Sequence, residues 1–190
     1  IPMTTFQTNG IEIDAEEFGG KTGAPLLLIR GLGSQRTAWP DSFLAGLAER
    51  GHRVLTFDNR DTGLSTKFHD WGTIDLAEAL GRAANGDPID APYSLDEMAL
   101  DAIGLLDALE VETAHVAGIS MGGMIAQLLA VRHGERLRSL VSIMSSSGAS
   151  GLPAPTPEAT AALLSRPEDP SDRECVIRHT VETEKVFASP

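Results

Sequence analysis

The stretch Gly118-Ile119-Ser120-Met121-Gly122 constrains the fold of this chain more than any other feature. The apolar residues just before it predict a strand, and the apolar run 124–130 after it predicts a helix. A serine at the apex of a sharp strand-to-helix turn is exposed, as a nucleophile must be, and flanking glycines leave room for the tight backbone. A serine in a glycine-rich turn can also be a simple turn former, so the motif needs support from the rest of the chain.

Apolar runs predict the strands of a sheet. Residues 11–18 alternate apolar and acidic side chains, which predicts a half-exposed antiparallel strand near a sheet edge. Continuous apolar runs are typical of strands covered on both faces. One such run occurs at 26–29. A second buried strand is predicted at 53–58, and further strands are predicted at 114–119 and 138–144.

Amphipathic segments between these runs predict helices. Ser94 and Glu97 form a capping box before the helix 95–109. Glycines are expected to end two further helices, Gly51 after 39–50 and Gly134 after 121–133. Strands that alternate with helices of this length predict the α/β class, with a mostly parallel sheet and helices on both faces.

The composition changes near residue 148, which predicts a domain boundary. We expect a core domain over 1–147, a Pro/Gly-rich linker over 148–157 and the start of a helical cap over 158–190. The cap region contains two polar helical segments, 158–165 and 171–187, and the core contains a short helix at 73–82 before a loop at 85–92.

Charge and cysteine content exclude several functions. The net charge of −12 disfavours binding to nucleic acid or to an anionic membrane surface. The single cysteine, Cys175, excludes an internal disulfide and a thiolate metal site, which fits a cytoplasmic location. The first residues, Ile1 to Thr5, lack the basic start and long apolar stretch of a signal peptide. We therefore predict a cytoplasmic protein with no metal site.

Two further motifs precede the serine turn in a specific order. Arg30-Gly31-Leu32-Gly33 follows the first buried strand predicted, and the motif D-x-R-x-x-G-x-S over 58–65 follows the second. Together with the Ser120 turn, they resemble the α/β-hydrolase superfamily over residues 10–190. Within it, the chain is similar to bacterial serine hydrolases such as aclacinomycin methylesterase and the proline iminopeptidase-like enzymes. It departs from them at Arg30, where members usually have His, and at Asp61, where they usually have Gly.

The resemblance implies an acyl-transfer mechanism without a cofactor. Ser120 would be the nucleophile, and the backbone N–H groups of Met121 and Leu32 would stabilise the negative charge on the substrate carbonyl oxygen. The oxyanion donor is a main-chain group, so Arg30 in place of His does not remove it. The expected substrate is a small ester-like molecule, because esters, lactones, thioesters and amides share this machinery. Haloalkane dehalogenases and epoxide hydrolases are disfavoured, since they carry Asp at the position of Ser120.

Several of these residues also have a purely structural interpretation. Leu32 fits an ordinary loop residue as well as an oxyanion donor. Trp39 and Met124 fit the core as well as the wall of a substrate pocket. Asp61 is expected in solvent, whereas three other side chains of the middle motif are expected to tie down a strand-to-loop junction. These are Asp58, Arg60 and Ser65.

The general base of the implied triad has no candidate in this sequence. Such hydrolases have the chain order Ser, acid, His, and only His133 and His179 follow Ser120. His133 is expected about 20 Å away along the serine helix, and His179 lies in the cap region. We interpret all five histidines as structural or solvent-facing, the others being His52, His69 and His115.

We therefore expect the acid and the histidine to lie on sequence beyond these 190 residues. The chain would then be one portion of a longer hydrolase, unstable and inactive alone, with residues 138–144 as an exposed parallel edge. Two hypotheses follow: an ester-class serine hydrolase, or a catalytically silent α/β-hydrolase scaffold or half of a two-chain assembly. A dinucleotide-binding fold is rejected, because Arg36 occupies the place of the third glycine of G-x-G-x-x-G.

Overall fold

A six-stranded mixed sheet is the main feature of the computed structural model, which describes residues 4–72, 75–149, 151–153 and 155–188. The strand order is β1-β2-β4-β3-β5-β6. The first two strand pairs in this order are antiparallel and the other three are parallel. The strands are β1 (Thr4–Thr8), β2 (Ile11–Phe18), β3 (Ala24–Ile29), β4 (His52–Phe57), β5 (Ala114–Ile119) and β6 (Leu137–Ile143).

Helices cover both faces of this sheet, which confirms the predicted α/β class. One apolar cluster joins the sheet to α3 and α4 and includes Leu27, Phe57 and Val116. A second cluster on the opposite face joins the sheet to α1 and includes Leu28 and Val54. The helices are α1 (Asp41–Glu49), α2 (Leu76–Asn85), α3 (Leu95–Ala108), α4 (Met121–Arg132), α5 (Pro157–Leu164) and α6 (Arg173–Phe187).

The chain divides into two compact units. The first consists of Ile1–Gly72 and Ala91–Gly148 and contains the sheet with α1, α3 and α4. The second consists of Thr73–Asp90 and Ala149–Pro190 and contains α2, α5 and α6. Within the second unit, α5 contacts α6. No helix in the described part of the chain is long and apolar enough to cross a membrane.

Most predicted elements are found within a few residues of their expected ends. The capping box of Ser94 and Glu97 is confirmed, and so is Gly51 after α1, where φ is +88°. The prediction that Gly134 caps α4 was wrong. Instead His133 ends that helix, its N–H donating to Leu129 O at 2.8 Å, and Gly134 begins a 3-10 turn.

One edge strand of the sheet was missed, the exposed edge predicted at 138–144 is found, and part of one predicted helix is not described. The strand β1 was not predicted, because most of its side chains are exposed and it lacks a continuous apolar run. It places β2 one strand in from the edge. The first residues of the helix predicted at 73–82 lie outside the described part, as do residues 1–3, 150, 154 and 189–190 of the predicted domains and linker. At the other edge, most side chains of β6 are exposed.

Candidate active site

Ser120 occupies a strained turn between β5 and α4. Its backbone angles are φ 55° and ψ −124°, in a region that residues other than glycine rarely adopt. Such a conformation costs roughly 1–3 kcal/mol and persists only where the surroundings enforce it. The Ser120 N–H donates to Ile143 O at 2.9 Å, and the Ser120 carbonyl accepts from the N–H of Gly123 at 2.9 Å. The turn is therefore fixed by main-chain hydrogen bonds on both sides, one to β6 and one within the start of α4.

Close backbone packing explains the two glycines that flank the serine. A methyl group on Gly118 would lie 2.1 Å from the Gly122 carbonyl oxygen. A methyl group on Gly122 would lie 2.2 Å from Ile29 O and 2.7 Å from Arg30 O. Real carbon and oxygen atoms do not approach so closely, so only glycine lets the first turn of α4 pack on the end of β3.

The segment after β3 lies beside the serine. A methyl group on Gly31 would lie 3.0 Å from Ser120 Cβ and 3.4 Å from Ser120 Oγ. We call residues 30–34 the Gly31 loop. It forms a turn in which the Ser34 N–H donates to Gly31 O at 3.2 Å, with Gly33 at φ +65°. The Leu32 side chain is 54% exposed, and no described residue accepts a hydrogen bond from its N–H.

Arg30 stiffens this loop from its first position. Its Nε and Nη2 donate to Ser34 Oγ at 2.9 and 2.8 Å, and its guanidinium carbon lies 4.8 Å from the centre of the Trp39 ring. Trp39 is 6% exposed and belongs to the apolar cluster on the α1 face, so it is a core residue. Met124 is half-buried in the first turns of α4.

The loop after β4 confirms the structural interpretation of the middle motif. The Ser65 hydroxyl donates to Asp58 O at 2.6 Å and accepts from the Asp14 N–H at 2.9 Å. Arg60 forms a bidentate ion pair with Asp101, with both N–O distances at 2.7 Å. These side chains are all buried, so the loop is held by hydrogen bonds that water does not compete for.

Asp61 is exposed, as predicted, but its carboxylate is bonded on both sides. It accepts the Phe68 N–H at 2.7 Å and the Tyr93 hydroxyl at 2.6 Å. Its φ is 62°, a left-handed value that glycine adopts freely and that aspartate tolerates better than most residues. Burial and this hydrogen bond raise the pKa of Tyr93 above its usual value. The aspartate in place of glycine therefore keeps the turn and adds an anchor to Tyr93.

Arg36 was not predicted as part of this region. It is 6% exposed and its Nε donates to Asp14 Oδ2 at 2.7 Å, while Nη1 pairs with Glu16. Burial disfavours its charge, yet the hydrogen bond to Asp14 and the nearby charges of Asp14, Glu16 and Asp58 raise the pKa of the guanidinium above its usual value. The sequence pattern carried no signal for this pair, because Asp14 stands at an acidic position of the alternating strand β2, which the pattern predicts to be half-exposed.

None of the side-chain hydrogen bonds of the described histidines involves Ser120. His115 Nδ1 lies 2.7 Å from Ser139 Oγ, and the His115 ring contacts that of His52. His179 Nε2 lies 3.4 Å from Ser165 Oγ within the second unit. No described residue forms a hydrogen bond with Ser120 Oγ. Among the described residues, no group of three or more His, Cys, Asp or Glu side chains is placed to hold a metal ion.

Comparison with known proteins identifies the family. A sequence profile described as the alpha/beta hydrolase fold matches residues 24–173. The chain is 37% identical over 144 residues to a rhodomycin D methylesterase of Streptomyces sp. (strain C5), which covers 76% of this chain and 42% of that protein. It is 35% identical over 142 residues to a 2-hydroxymuconate semialdehyde hydrolase of Pseudomonas sp. (strain CF600), covering 74% of this chain and 42% of the relative.

Solved structures share the same fold. An enol-lactonase from Burkholderia xenovorans LB400 superposes with a TM-score of 0.62 at 22% identity, covering 96% of this chain and 65% of that one. A hydrolase from Pseudomonas aeruginosa PA01 gives a TM-score of 0.63 at 22% identity, covering 99% and 68%. The chain spans less than half the length of the two curated relatives above. On its sheet order, its serine turn and this profile, the chain belongs to the alpha/beta hydrolase family.

Proposed function

We propose that the protein is a serine hydrolase of the carboxylic-ester class that acts through an acyl-Ser120 intermediate. The observation that carries this proposal is the turn at Ser120, where a residue other than glycine holds φ 55° and ψ −124° at the end of a central parallel strand. Strain of this kind persists where function requires it. A turn former would relax to an unstrained conformation or be glycine.

In the proposed reaction, Ser120 Oγ attacks the ester carbonyl carbon as a base takes its proton. The tetrahedral intermediate then expels the alcohol and leaves the acyl group on Ser120. Water attacks the acyl-enzyme in the second half, releasing the carboxylic acid and restoring the serine. This chemistry uses no cofactor and no metal ion.

Two main-chain donors are proposed for the oxyanion. Met121 is the first residue of α4, so its N–H has no acceptor within the helix and lies at the positive end of the helix dipole. The Leu32 N–H follows Gly31, whose Cα packs against the serine side chain. Donors fixed in advance stabilise the developing charge more than mobile water can.

The ester class is supported by one of the two relatives, and hydrolysis in general by both. One of them is named for removing a methyl ester from rhodomycin D, and the other for hydrolysing 2-hydroxymuconate semialdehyde. We propose that the general base and its acid are supplied by sequence beyond these 190 residues, because none of the side-chain hydrogen bonds of the described histidines involves Ser120. Residues 158–190 are proposed as the start of a cap, and the 190 residues alone are expected to show no turnover.

A fluorophosphonate probe tests this proposal on the full-length protein, meaning the complete product of its gene. We expect labelling of the tryptic peptide that contains Ser120, and none in the Ser120→Ala variant. Ser145→Ala is the matched control, because it removes another serine hydroxyl near the first turn of α4 and should label normally. Equal labelling of wild type and Ser120→Ala would contradict the assignment.

The second hypothesis is a silent scaffold of the same fold, favoured by the absence of any described histidine bonded to Ser120. It predicts a folded full-length protein that the probe does not label at all. An intact-mass spectrum under denaturing conditions separates this case from a missing segment. A mass well above 20.1 kDa, or a second fragment, would show that further sequence is present. The proposal places the general base on that sequence.

A further inference from the structure

We infer that Asn59 is a positioning residue that sets the Gly31 loop against Ser120, by donating a hydrogen bond to the Arg30 carbonyl. This inference rests on the proposed function, since it assigns Asn59 to the placement of the Leu32 N–H. Asn59 is the second residue after β4 and is 2% exposed. Its Nδ2 lies 3.0 Å from Arg30 O.

The Arg30 carbonyl is held between two elements. On one side is the Asn59 amide, and on the other is the backbone of Gly122, where a methyl group would lie 2.7 Å from the same oxygen. The opposite orientation of the amide would place two oxygens against each other, so the donor assignment follows from the contact itself. Without this donor, the carbonyl would remain in the protein interior with a lost partner.

The neighbouring residue ties the far end of the same connection. Asp58 Oδ1 accepts the Arg36 N–H at 2.6 Å, while Asn59 holds Arg30. Between these two points, the hydrogen bonds that the described residues 31–34 form stay within the loop. Asp58 and Asn59, the two residues that follow β4, therefore fix both ends of the segment that carries the proposed donor.

Leu32 is only two residues beyond the carbonyl that Asn59 holds. The residue between them, Gly31, has no side chain to limit its own backbone angles. The position of the Leu32 N–H therefore depends on contacts that fix the neighbouring peptide of Arg30. An oxyanion donor acts only within a few tenths of an ångström of its productive place. Loss of the Asn59 amide is therefore expected to lower kcat rather than to raise KM, because the donor acts in the transition state.

The test uses Asn59→Asp and Asn59→Ala in the full-length protein, with 4-nitrophenyl butyrate as the probe substrate. The first variant keeps the shape of the side chain but removes the donor, and the second removes the side chain. We expect kcat to fall about tenfold to hundredfold in both, with KM within about twofold. The phosphonylation rate of Ser120 by the fluorophosphonate should fall in parallel.

Ser65→Ala is the matched control. It removes a buried hydrogen-bonding side chain from the same loop, and among the described residues that hydroxyl is hydrogen-bonded to Asp58 O and to the Asp14 N–H. It should lower the melting temperature about as much as the Asn59 substitutions do, while kcat stays within about twofold of the wild-type value. Hydrogen exchange of the 31–34 amides should accelerate in Asn59→Asp and not in Ser65→Ala.

Unchanged kcat in both Asn59 variants, or equal exchange in Asn59→Asp and Ser65→Ala, would overturn the inference and leave the proposed function intact. A wild-type protein that is neither labelled nor active would overturn the proposed function, and this inference would fall with it.

Discussion

The turn at Ser120 and the loop after β4 lie at the same end of the parallel strands, but different forces hold them. The turn is held by main-chain contacts so close that a side chain on Gly118 or Gly122 has no room. The loop is held by buried side chains, among them the Arg60–Asp101 ion pair and the Ser65 hydroxyl. The turn therefore requires two residues without side chains, whereas the loop requires specific polar side chains.

This difference predicts two kinds of failure. A substitution in the turn adds atoms where none fit, so no second substitution nearby can restore it easily. A substitution in the loop leaves a buried charge or polar group without its partner, and removing that partner as well relieves the cost. Four predictions test this contrast, from the largest expected effect to the smallest.

Loss of Arg60 should be the most damaging change in the loop. Arg60→Ala leaves Asp101, which is 1% exposed, without its bidentate partner, and we expect the free energy of unfolding to fall by about 3–5 kcal/mol. Urea unfolding of the full-length protein measures it. The double variant Arg60→Ala/Asp101→Ala should lose markedly less than the sum of the two single changes. Additive losses would show that the pair is not coupled and would break the comparison.

An added methyl group should damage the turn without any such rescue. Gly122→Ala places its Cβ 2.2 Å from Ile29 O, and we expect a loss of about 2–3 kcal/mol as β3 and α4 move apart. Gly81→Ala in α2 is the matched control, because a methyl group there meets nothing within 4 Å. It should stabilise the helix by up to about 1 kcal/mol. Equal stability of the two variants would mean that the packing at Gly122 is looser than the structure shows.

The sequence revealed the turn better than the loop for a physical reason. The residue types that the Ser120 turn requires lie within five positions of each other, and glycine spacing can be recognised in so short a segment. The loop depends on partners far apart in the chain: Arg60 pairs with Asp101, and Arg36 with Asp14. Hydrophobic periodicity located the strands, but it carries no information on which charge meets which.

The same reasoning explains what was missed among the strands and the site residues. The edge strand β1 buries little, so it leaves no apolar pattern. Asn59 occupies a variable position of its motif, and its partner is a main-chain carbonyl 29 residues earlier, which no pattern of residue types encodes. The roles of Ser120, Met121 and Leu32 were suggested by resemblance, and they stay proposals that the labelling experiment tests.

The strain at Ser120 can be measured by two substitutions that both remove the hydroxyl. Ser120→Gly should be more stable than Ser120→Ala by about 1–2 kcal/mol, because glycine adopts φ 55° and ψ −124° without steric cost. Chemical denaturation of the two variants gives the difference directly. If Ser120→Ala were the more stable of the pair, the turn would be unstrained, and the main argument for a nucleophile at this position would be lost.

The smallest effect concerns the anchor between Asp61 and Tyr93 at the exposed side of the loop. The pKa of Tyr93 is raised in the folded state by burial and by its hydrogen bond to Asp61. A raised pKa means that the stabilisation is fully present below the unfolded pKa of about 10 and is lost as the pH rises above it. At pH 8 the free energy of unfolding of the wild type should exceed that of Tyr93→Phe by roughly 0.5–1 kcal/mol, as for an ordinary hydrogen bond.

Urea unfolding of both proteins at pH 8 and at pH 10.5 to 11 tests this. The hydroxyl of Tyr93 donates to a carboxylate, so ionisation would remove the donor and set two negative charges against each other, opposed only in part by the Arg60 guanidinium 4.8 Å from the ring centre. A difference in unfolding free energy that stays constant from pH 8 to 11 would show that Tyr93 holds the loop by ring packing on Phe68 rather than by its hydrogen bond. The exposed side of the loop would then depend on packing, as the turn does.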